Sequence, residues 1–299
     1  MKKYGSQYTA KGNIMGKWLL IVSVITITVV IIMVFIGQVR ESAKANKLVE
    51  TLIQSASQPA TNIVDFNSFS ELPSPVEQYL RYALTDGQMI VKTVKMQQSG
   101  ILRSSINNEK WYKFKSSQVI SPSTIGFVWN AQVEMPLSTH IRVHDSYCSG
   151  IGSGRVAFLS AFTVASDTNI PELNSGALHR YLAEAVWYPT ALLPMSGVIW
   201  TAIDDNSALA TLTDNNITVS LEFRFNNTGE VTSIFTPERF YRNSNGTYQA
   251  MPWEIHIGNY KVRDGMRVPF HAEVGWHIDG VLELVWSGDV INASYEFSK

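Results

Sequence analysis

The sequence predicts an α+β protein in which a large, curved, half-barrel-like antiparallel β-sheet packs against two or more helices and follows one transmembrane helix. Three observations lead to this prediction. An uncharged apolar run of helical length lies near the N-terminus, at Trp18–Ile36. From Met89 onward, short segments alternate apolar and polar residues and are separated by turn signals. One aromatic and aliphatic stretch with helical spacing, Gly176–Asp205, divides these strands into two halves.

The apolar run Trp18–Ile36 is close to the roughly 20 residues that a helix needs to cross a bilayer. Lysines precede it and mixed charges follow it, which favours a cytoplasmic N-terminus. A cleavable signal peptide is the alternative, but the run is longer than the roughly 7–15 residues of its apolar region. We therefore expect an uncleaved anchor in the cell (inner) membrane, with a cytoplasmic tail over residues 1–17, a transmembrane helix over 18–37 and the remainder extracytoplasmic.

Residues 38–72 are predicted to form a juxtamembrane helix and a linker, and residues 73–299 an extracytoplasmic α+β domain. Val39–Ser57 carries leucine, valine and isoleucine at helical spacing, whereas Gln58–Ser70 has the composition of a linker. A segment led by prolines then predicts a short helix over Val76–Leu84.

The strand signals continue to the C-terminus and indicate consecutive hairpins, which build an antiparallel sheet. The strand Ile217–Phe225 shows strict alternation, with Phe223 on its apolar side and Glu222 on its wet side. Asp264-Gly265 and Asp279-Gly280 are hairpin turn signals. In the first half the predicted strands are Met89–Arg103, Trp111–Val119, Thr124–Met135, Ile141–Ser146 and Arg155–Val164, the last after a glycine-rich turn at Gly150–Gly154.

The central helix is predicted over Leu178–Tyr188. Its apolar stripe consists of residues spaced by three and four positions: Leu178, Tyr181, Leu182, Ala185 and Val186. Ser175 can cap its start, and Pro189 ends it. Arg180 and Glu184 lie four residues apart on the polar side, which predicts a solvated ion pair. The alternative makes Glu184 an acid or base in a cleft.

Several blocks of the sequence resemble a bacterial family catalogued only as a domain of unknown function. The blocks are Leu72–Leu84, Gly126–Met135, Arg180–Pro194, Gly197–Asp205, Pro252–Tyr260 and Asp264–Trp276. This resemblance extends from Leu72 to the C-terminus and implies no activity. The C-terminal half also resembles the lipoprotein-localisation carriers, a resemblance that implies a curved antiparallel sheet around an apolar cavity lined by helices.

Composition limits the classes of function. The 299 residues carry a net charge of −1, so the chain lacks the excess of positive charge that is typical of nucleic-acid-binding proteins. The single cysteine, Cys148, excludes an intrachain disulfide. His271 and His277 would lie about 20 Å apart along one strand, too far to share a metal ion. We expect no metal and no cofactor.

The weak catalytic candidates are Asp204 and Asp205, with His179 or Glu184. Paired carboxylates can separate their pKa values for acid–base chemistry. The competing interpretation is a turn, because Asp-Asp-Asn-Ser is typical turn chemistry. Large apolar side chains also allow two interpretations: they fill the core, or they line a ligand cavity. The candidate cavity residues are Trp129, Leu178, Tyr181, Leu182, Trp187, Trp200, Phe223, Trp253 and Trp276.

Three hypotheses follow from these residues. The leading one is a membrane-anchored protein that binds a lipid or other apolar ligand at the outer face of the cytoplasmic membrane. The second is a hydrolase that uses Asp204 and Asp205 with His179 or Glu184. The third is a structural or scaffold protein of the cell envelope. The sequence favours the two hypotheses without catalysis over the hydrolase.

Overall fold

The computed structural model describes residues 6–54 and 63–298, with side chains from residue 16 onward. These residues form three α-helices, α1 (Ser6–Gln54), α2 (Ser74–Ala83) and α3 (Pro171–Glu184), together with short 3₁₀ helices and thirteen strands. The strands are β1 (Val91–Arg103), β2 (Trp111–Ser121), β3 (Gly126–Met135), β4 (Thr139–Cys148), β5 (Ile151–Phe158), β6 (Phe162–Thr168), β7 (Val198–Asp204), β8 (Ser207–Asp214), β9 (Ile217–Phe225), β10 (Val231–Arg242), β11 (Tyr248–Arg263), β12 (Met266–Ile278) and β13 (Val281–Phe297).

All thirteen strands of the described residues belong to one antiparallel sheet in the order β6-β5-β4-β3-β2-β1-β13-β12-β11-β10-β9-β8-β7. The sheet therefore consists of two meanders that join where the first and last strands pair, for example Met96 opposite Ala293. Helix α3 connects the two edge strands, so the chain must cross the sheet to complete the fold. The helix packs on β4, β5, β9 and β10. The predicted fold class is confirmed.

The two faces of the sheet have different partners. We call the side that packs on α3 the inner face and the opposite side the outer face. On β4, Asp145 contacts Arg180 of α3 at 3.0 Å, whereas the neighbouring His144 lies 3.8 Å from Glu41 of α1. Successive strand residues point to opposite faces. The core therefore lies between α3 and the inner face, and α1 covers part of the outer face.

Helix α1 is continuous from the apolar run to the outer face of the sheet. Its segment Gly16–Gln54 is long and apolar enough to be a candidate membrane span, and the apolar run itself is exposed. Beyond that run, a Cβ atom at Gly37 would lie 2.7 Å from the Cα atom of Ala161, so helix and β5–β6 turn touch. Glu41 pairs with Arg155, and Leu52 is fully buried. The predicted continuation of the helix is present to Gln54.

The predicted linker Gln58–Ser70 lies partly outside the described residues, and its second half forms a 3₁₀ helix at Phe66–Glu71. Asp65 begins this helix by accepting a hydrogen bond from the backbone N–H of Asn67 at 2.9 Å. Helix α2 is present and begins at Ser74, two residues before the predicted start.

The prediction for the central helix was wrong at both ends. Helix α3 begins at Pro171, four residues before the predicted cap at Ser175, because proline suits the first turn, where its missing N–H has no partner to lose. It ends at Glu184, and residues 185–187 tighten into a 3₁₀ turn before Tyr188. Leu178 and Leu182 are fully buried, as the stripe predicts.

The predicted single strand Arg155–Val164 is two strands. Leu159 and Ser160 both have positive φ, 52° and 59°, and turn the chain between β5 and β6. Two-residue turns of this kind usually contain Asn-Gly or Asp-Gly, so this one carries no sequence signal. The glycine-rich turn is shorter than predicted: the turn lies at Ser149-Gly150, and β5 begins at Ile151. By contrast, the Asp264-Gly265 and Asp279-Gly280 turns are confirmed.

The burial of β9 gives the first testable prediction. Phe223 is fully buried on the inner face, where it stacks edge-on against Trp200, whereas Glu222 is half-buried on the outer face and pairs with Arg224. We expect Phe223→Ala to lower the free energy of unfolding by about 3–5 kcal/mol. Glu222→Ala, the matched control, should change it by less than about 1 kcal/mol, as for exposed ion pairs. Equal effects in a denaturant titration would contradict the assignment of the faces.

Candidate functional site

An apolar cavity of about 200 Å³ lies between α3 and the inner face of the sheet. Five tryptophans line it, together with aliphatic side chains of β11, β12 and β13. The tryptophans are Trp129, Trp187, Trp253, Trp276 and Trp286, and the aliphatic residues are Ile255, Ile257, Ala272, Val274 and Val285. A concave, mostly apolar site with a few polar groups is the usual form of a small-molecule site.

A second cleft of about 400 Å³ adjoins the apolar cavity; we call it the polar cleft because a larger share of its wall surface is polar, although most of that surface is apolar. It lies between α3, the edge strand β6, its neighbour β5, and the end of β10. Its wall carries hydroxyl, amide and charged groups: Ser104, Ser105, Ser146, Ser166, Asp167, Arg242, Asn243 and Tyr248. The two spaces share four wall residues, which are Asp145, Arg180, Arg239 and Trp276.

Arg180 is the centre of the polar contacts in the apolar cavity. Its Nε donates to Oε1 of Glu184 at 2.7 Å, and its Nη1 donates to Oδ2 of Asp145 at 3.0 Å. The guanidinium also lies over the rings of Phe127 and Trp129, at 4.9 and 4.8 Å from their centroids. The predicted solvated pair was therefore wrong: Glu184 is buried, and the pair faces the cavity.

Glu184 has a second partner, Gln118 of β2, whose Nε2 donates to its Oε2 at 2.6 Å. Both carboxylate oxygens of Glu184 are thus hydrogen-bonded inside the fold. Asp145 keeps contact with open space in the cleft, and burial raises its pKa against the opposing effect of Arg180. Glu184, whose two oxygens are both hydrogen-bonded, is therefore a structural part of the cavity wall.

Arg239 is the other cation of the wall. Its guanidinium stacks on Trp253 and Trp276, at 4.4 and 5.3 Å from the ring centroids, and its Nε donates to the carbonyl oxygen of Gly176 at 3.1 Å. No strand was predicted over β10, so Arg239 was not singled out, and a bulge between Thr236 and Arg239 also interrupts the alternation of this strand. Without the bulge, Arg239 would be assigned to the outer face.

The structure separates the predicted cavity residues into two groups. Four of the nine line the apolar cavity: Trp129, Trp187, Trp253 and Trp276. The other five are not among its wall residues and pack in the surrounding core: Leu178, Tyr181, Leu182, Trp200 and Phe223. Periodicity identifies a residue that points inward but does not tell whether it meets a neighbour or a cavity.

The predicted catalytic residues are not brought together. Asp204 and Asp205 lie at the exposed β7–β8 turn, where Asp204 accepts a hydrogen bond from the backbone N–H of Asn206 at 2.8 Å. That contact lowers the pKa of Asp204 and is ordinary turn chemistry. Glu184 lines the apolar cavity, whereas His179 lines a different cleft on the other side of α3.

His179 gives a prediction about acid. Burial, with a smaller contribution from the charge of Arg239, lowers its pKa from 6.5 to about 4. The folded state therefore binds this proton less readily than the unfolded state does. Its stabilising contribution is complete above the unfolded pKa of 6.5 and is lost as the pH falls toward about 4, at a cost of about 3 kcal/mol.

His179→Gln removes the titrating group and should reduce this acid sensitivity. Urea titrations at about pH 7 and about pH 4.5 compare the two proteins, and the wild type should lose more stability between them. His277→Gln is a suitable control because His277 lies on the outer face, 2.8 Å from Glu254. An unchanged acid sensitivity in His179→Gln would show that His179 is protonated in the folded state.

Solved structures of other proteins resemble this chain at low sequence identity. No curated protein matches it. Among solved structures, a domain from Vibrio parahaemolyticus named for outer membrane lipoprotein sorting is 8% identical, with a TM-score of 0.38 over 69% of this chain and 86% of that chain. A LolA superfamily protein from Nitrosomonas europaea is 10% identical, with a TM-score of 0.32 over 79% of this chain and 96% of that chain.

A family model described as Family of unknown function (DUF6544) matches residues 62–287. This range contains β1–β12, α2, α3 and the walls of both spaces described above, and it ends within β13. The resemblance to a family of unknown function is confirmed by this match. Because the match covers most of the sequence, the chain belongs to the Family of unknown function (DUF6544).

Proposed function

We propose that this protein binds a lipid or other apolar ligand at the surface of a membrane. The observation that carries the proposal is the apolar cavity between α3 and the sheet, whose wall includes five tryptophans and several aliphatic side chains. An apolar chain that leaves water for such a cavity gains about 25 cal/mol for each Å² of surface it buries. Aromatic walls supply large contact areas with little loss of side-chain freedom.

The membrane location rests on α1. Its uncharged run, Trp18–Ile36, would span a hydrocarbon core of about 30 Å at about 1.5 Å per residue. The lysines before the run favour a cytoplasmic tail over residues 1–17 and an extracytoplasmic domain over residues 73–299. Residues 18–37 form the proposed transmembrane helix, and 38–72 the proposed juxtamembrane segment.

Exposed apolar side chains near the end of this run support the same location. Gly37 touches the β5–β6 turn at Ala161, and this turn adjoins β4, because the N–H of Leu159 donates to the carbonyl oxygen of His140 at 2.9 Å. Leu137, in the neighbouring β3–β4 turn, is 95% exposed, and Phe162, the first residue of β6, is 45% exposed. Apolar tips beside a membrane helix suit contact with the interfacial region of a bilayer.

The test of ligand binding uses a variant that fills the cavity. Ala272 of β12 is buried and lines the cavity, so Ala272→Phe should place a ring in the space that the ligand would occupy. The full chain is purified in a non-ionic detergent, and native mass spectrometry measures the bound lipid. We expect the wild type to carry a lipid adduct and Ala272→Phe to lose most of it.

The matched control is Glu273→Phe, which adds the same ring to the next residue, on the outer face, where Glu273 is half-buried. This variant should retain the adduct. Ala272→Leu adds a smaller group and should give an intermediate loss. Thermal melts establish that each variant is folded. A wild type without adduct, or equal adducts in all folded variants, would contradict the proposed function.

A further inference from the structure

The polar cleft and the apolar cavity meet at Arg239. The cleft wall is rich in serine and carries Asn243 and Tyr248, whereas the cavity wall is mainly tryptophan and aliphatic. Arg239 belongs to both walls, together with Arg180, Asp145 and Trp276. A molecule that occupied both spaces would therefore meet more polar groups in the cleft than in the cavity, and Arg239 would lie at the junction between them.

The charge of Arg239 has no carboxylate partner among the described residues. Arg180 holds both nearby acids, Asp145 at 3.0 Å and Glu184 at 2.7 Å, whereas the hydrogen bond of Arg239 is to the carbonyl oxygen of Gly176. Burial and the nearby charge of Arg180 lower the pKa of Arg239 to about 10, so its guanidinium stays protonated at neutral pH. The junction therefore presents a cation whose terminal N–H groups remain free to donate.

The tryptophans fix the direction in which Arg239 can donate. Because its guanidinium stacks on Trp253 and Trp276, its remaining N–H groups point along the guanidinium plane, the geometry that binds a carboxylate or phosphate through two parallel hydrogen bonds. The buried indole N–H groups of Trp187 and Trp253 have no acceptor within the described residues. The wall thus has an excess of donors, which an anionic oxygen would use.

We infer that the site takes an amphiphile with an acidic head group, which Arg239 binds at the junction while the apolar chain lies in the tryptophan cavity. The inference rests on the proposed function and narrows its ligand class to carboxylate or phosphate amphiphiles. Arg180 acts differently from Arg239, since Asp145 and Glu184 already accept hydrogen bonds from its guanidinium. A neutral amphiphile would leave the donors of Arg239 without an acceptor, at a cost in affinity.

The experiment compares two probes that differ only in the acidic group: lauroyl lysophosphatidic acid and monolauroylglycerol. Each is added at the same concentration to the full chain in non-ionic detergent, and native mass spectrometry measures the adducts. We expect the wild type to retain the acidic probe at least about tenfold better, because charge-assisted hydrogen bonds are the strong ones. Arg239→Met should lose about tenfold of the acidic adduct and keep the neutral one.

Arg239→Lys retains the charge and should keep part of the preference, which separates charge recognition from a general loss of packing. Arg224→Met on the outer face, where the Arg224 side chain is 42% exposed, is the control and should bind like the wild type. Equal retention of both probes by the wild type, or an unchanged preference in a folded Arg239→Met, would overturn the inference alone. A wild type that retains neither probe would instead overturn the proposed function.

Discussion

Leu182→Asp is expected to prevent the sheet and its helices from folding. Leu182 is fully buried in the last turn of α3, the helix that crosses the inner face to connect the two edge strands. The change removes an apolar side chain, which alone costs about 2–5 kcal/mol. It also buries a carboxylate without a partner, which costs several kcal/mol more. Since domains are stable by only about 5–15 kcal/mol, the sum removes most or all of the stability.

The measurement is the yield of folded protein, followed by circular dichroism and limited proteolysis. Leu182→Ala should fold and lose only the first contribution, about 2–5 kcal/mol. Leu137→Asp makes the same substitution at a residue that is 95% exposed, in a turn with a φ of 58°, where aspartate is well tolerated. It should fold normally. A folded, soluble Leu182→Asp would show that α3 is not docked on the sheet.

The stripe that contains Leu182 was predictable from the sequence because one face of α3 meets the inner face over its whole length. The surroundings of the polar side of the helix were not predictable. A helix at the surface of a domain exposes its polar side, so Arg180 and Glu184 were assigned to solvent. Because α3 crosses the interior of a curved sheet, its polar side faces a cavity wall instead, where Asp145 and Gln118 satisfy the pair. Only the topology reveals this.

The strands show the same limit. The alternation of β9 fixes its inner residues directly, since the strand is regular from Ile217 to Phe225. On β10, over which no strand was predicted, the bulge after Thr236 changes the face of every later residue, including Arg239. The turn at Leu159-Ser160 has left-handed φ values without asparagine or glycine, which concealed a strand boundary. Regular strands were predictable, and the irregular points, one of which positions Arg239, were not.

Arg180→Met is expected to lower the free energy of unfolding by about 3–5 kcal/mol, because it leaves Glu184 and Asp145 without their cation inside the fold. Methionine keeps most of the apolar stem of the side chain, so the loss reports the guanidinium, that is, its ion pairs and its contacts with the rings of Phe127 and Trp129. A denaturant titration measures the change. Arg224→Met is the control: it removes a 42% exposed arginine that contacts Glu222 and, at 3.5 Å, Glu254, which keeps His277 as a partner, and it should cost no more than about 1 kcal/mol.

A second substitution separates the charge from the packing. In Arg180→Met with Glu184→Met, the buried carboxylate is removed as well, and the double variant should be more stable than Arg180→Met alone. A recovery of the free energy of unfolding would mean that buried Glu184 needs Arg180 as its partner. It would also mean that water does not reach this part of the cavity wall. If Arg180→Met is as stable as the wild type, water solvates the two carboxylates. The cavity would then be open to water and would not suit an apolar ligand.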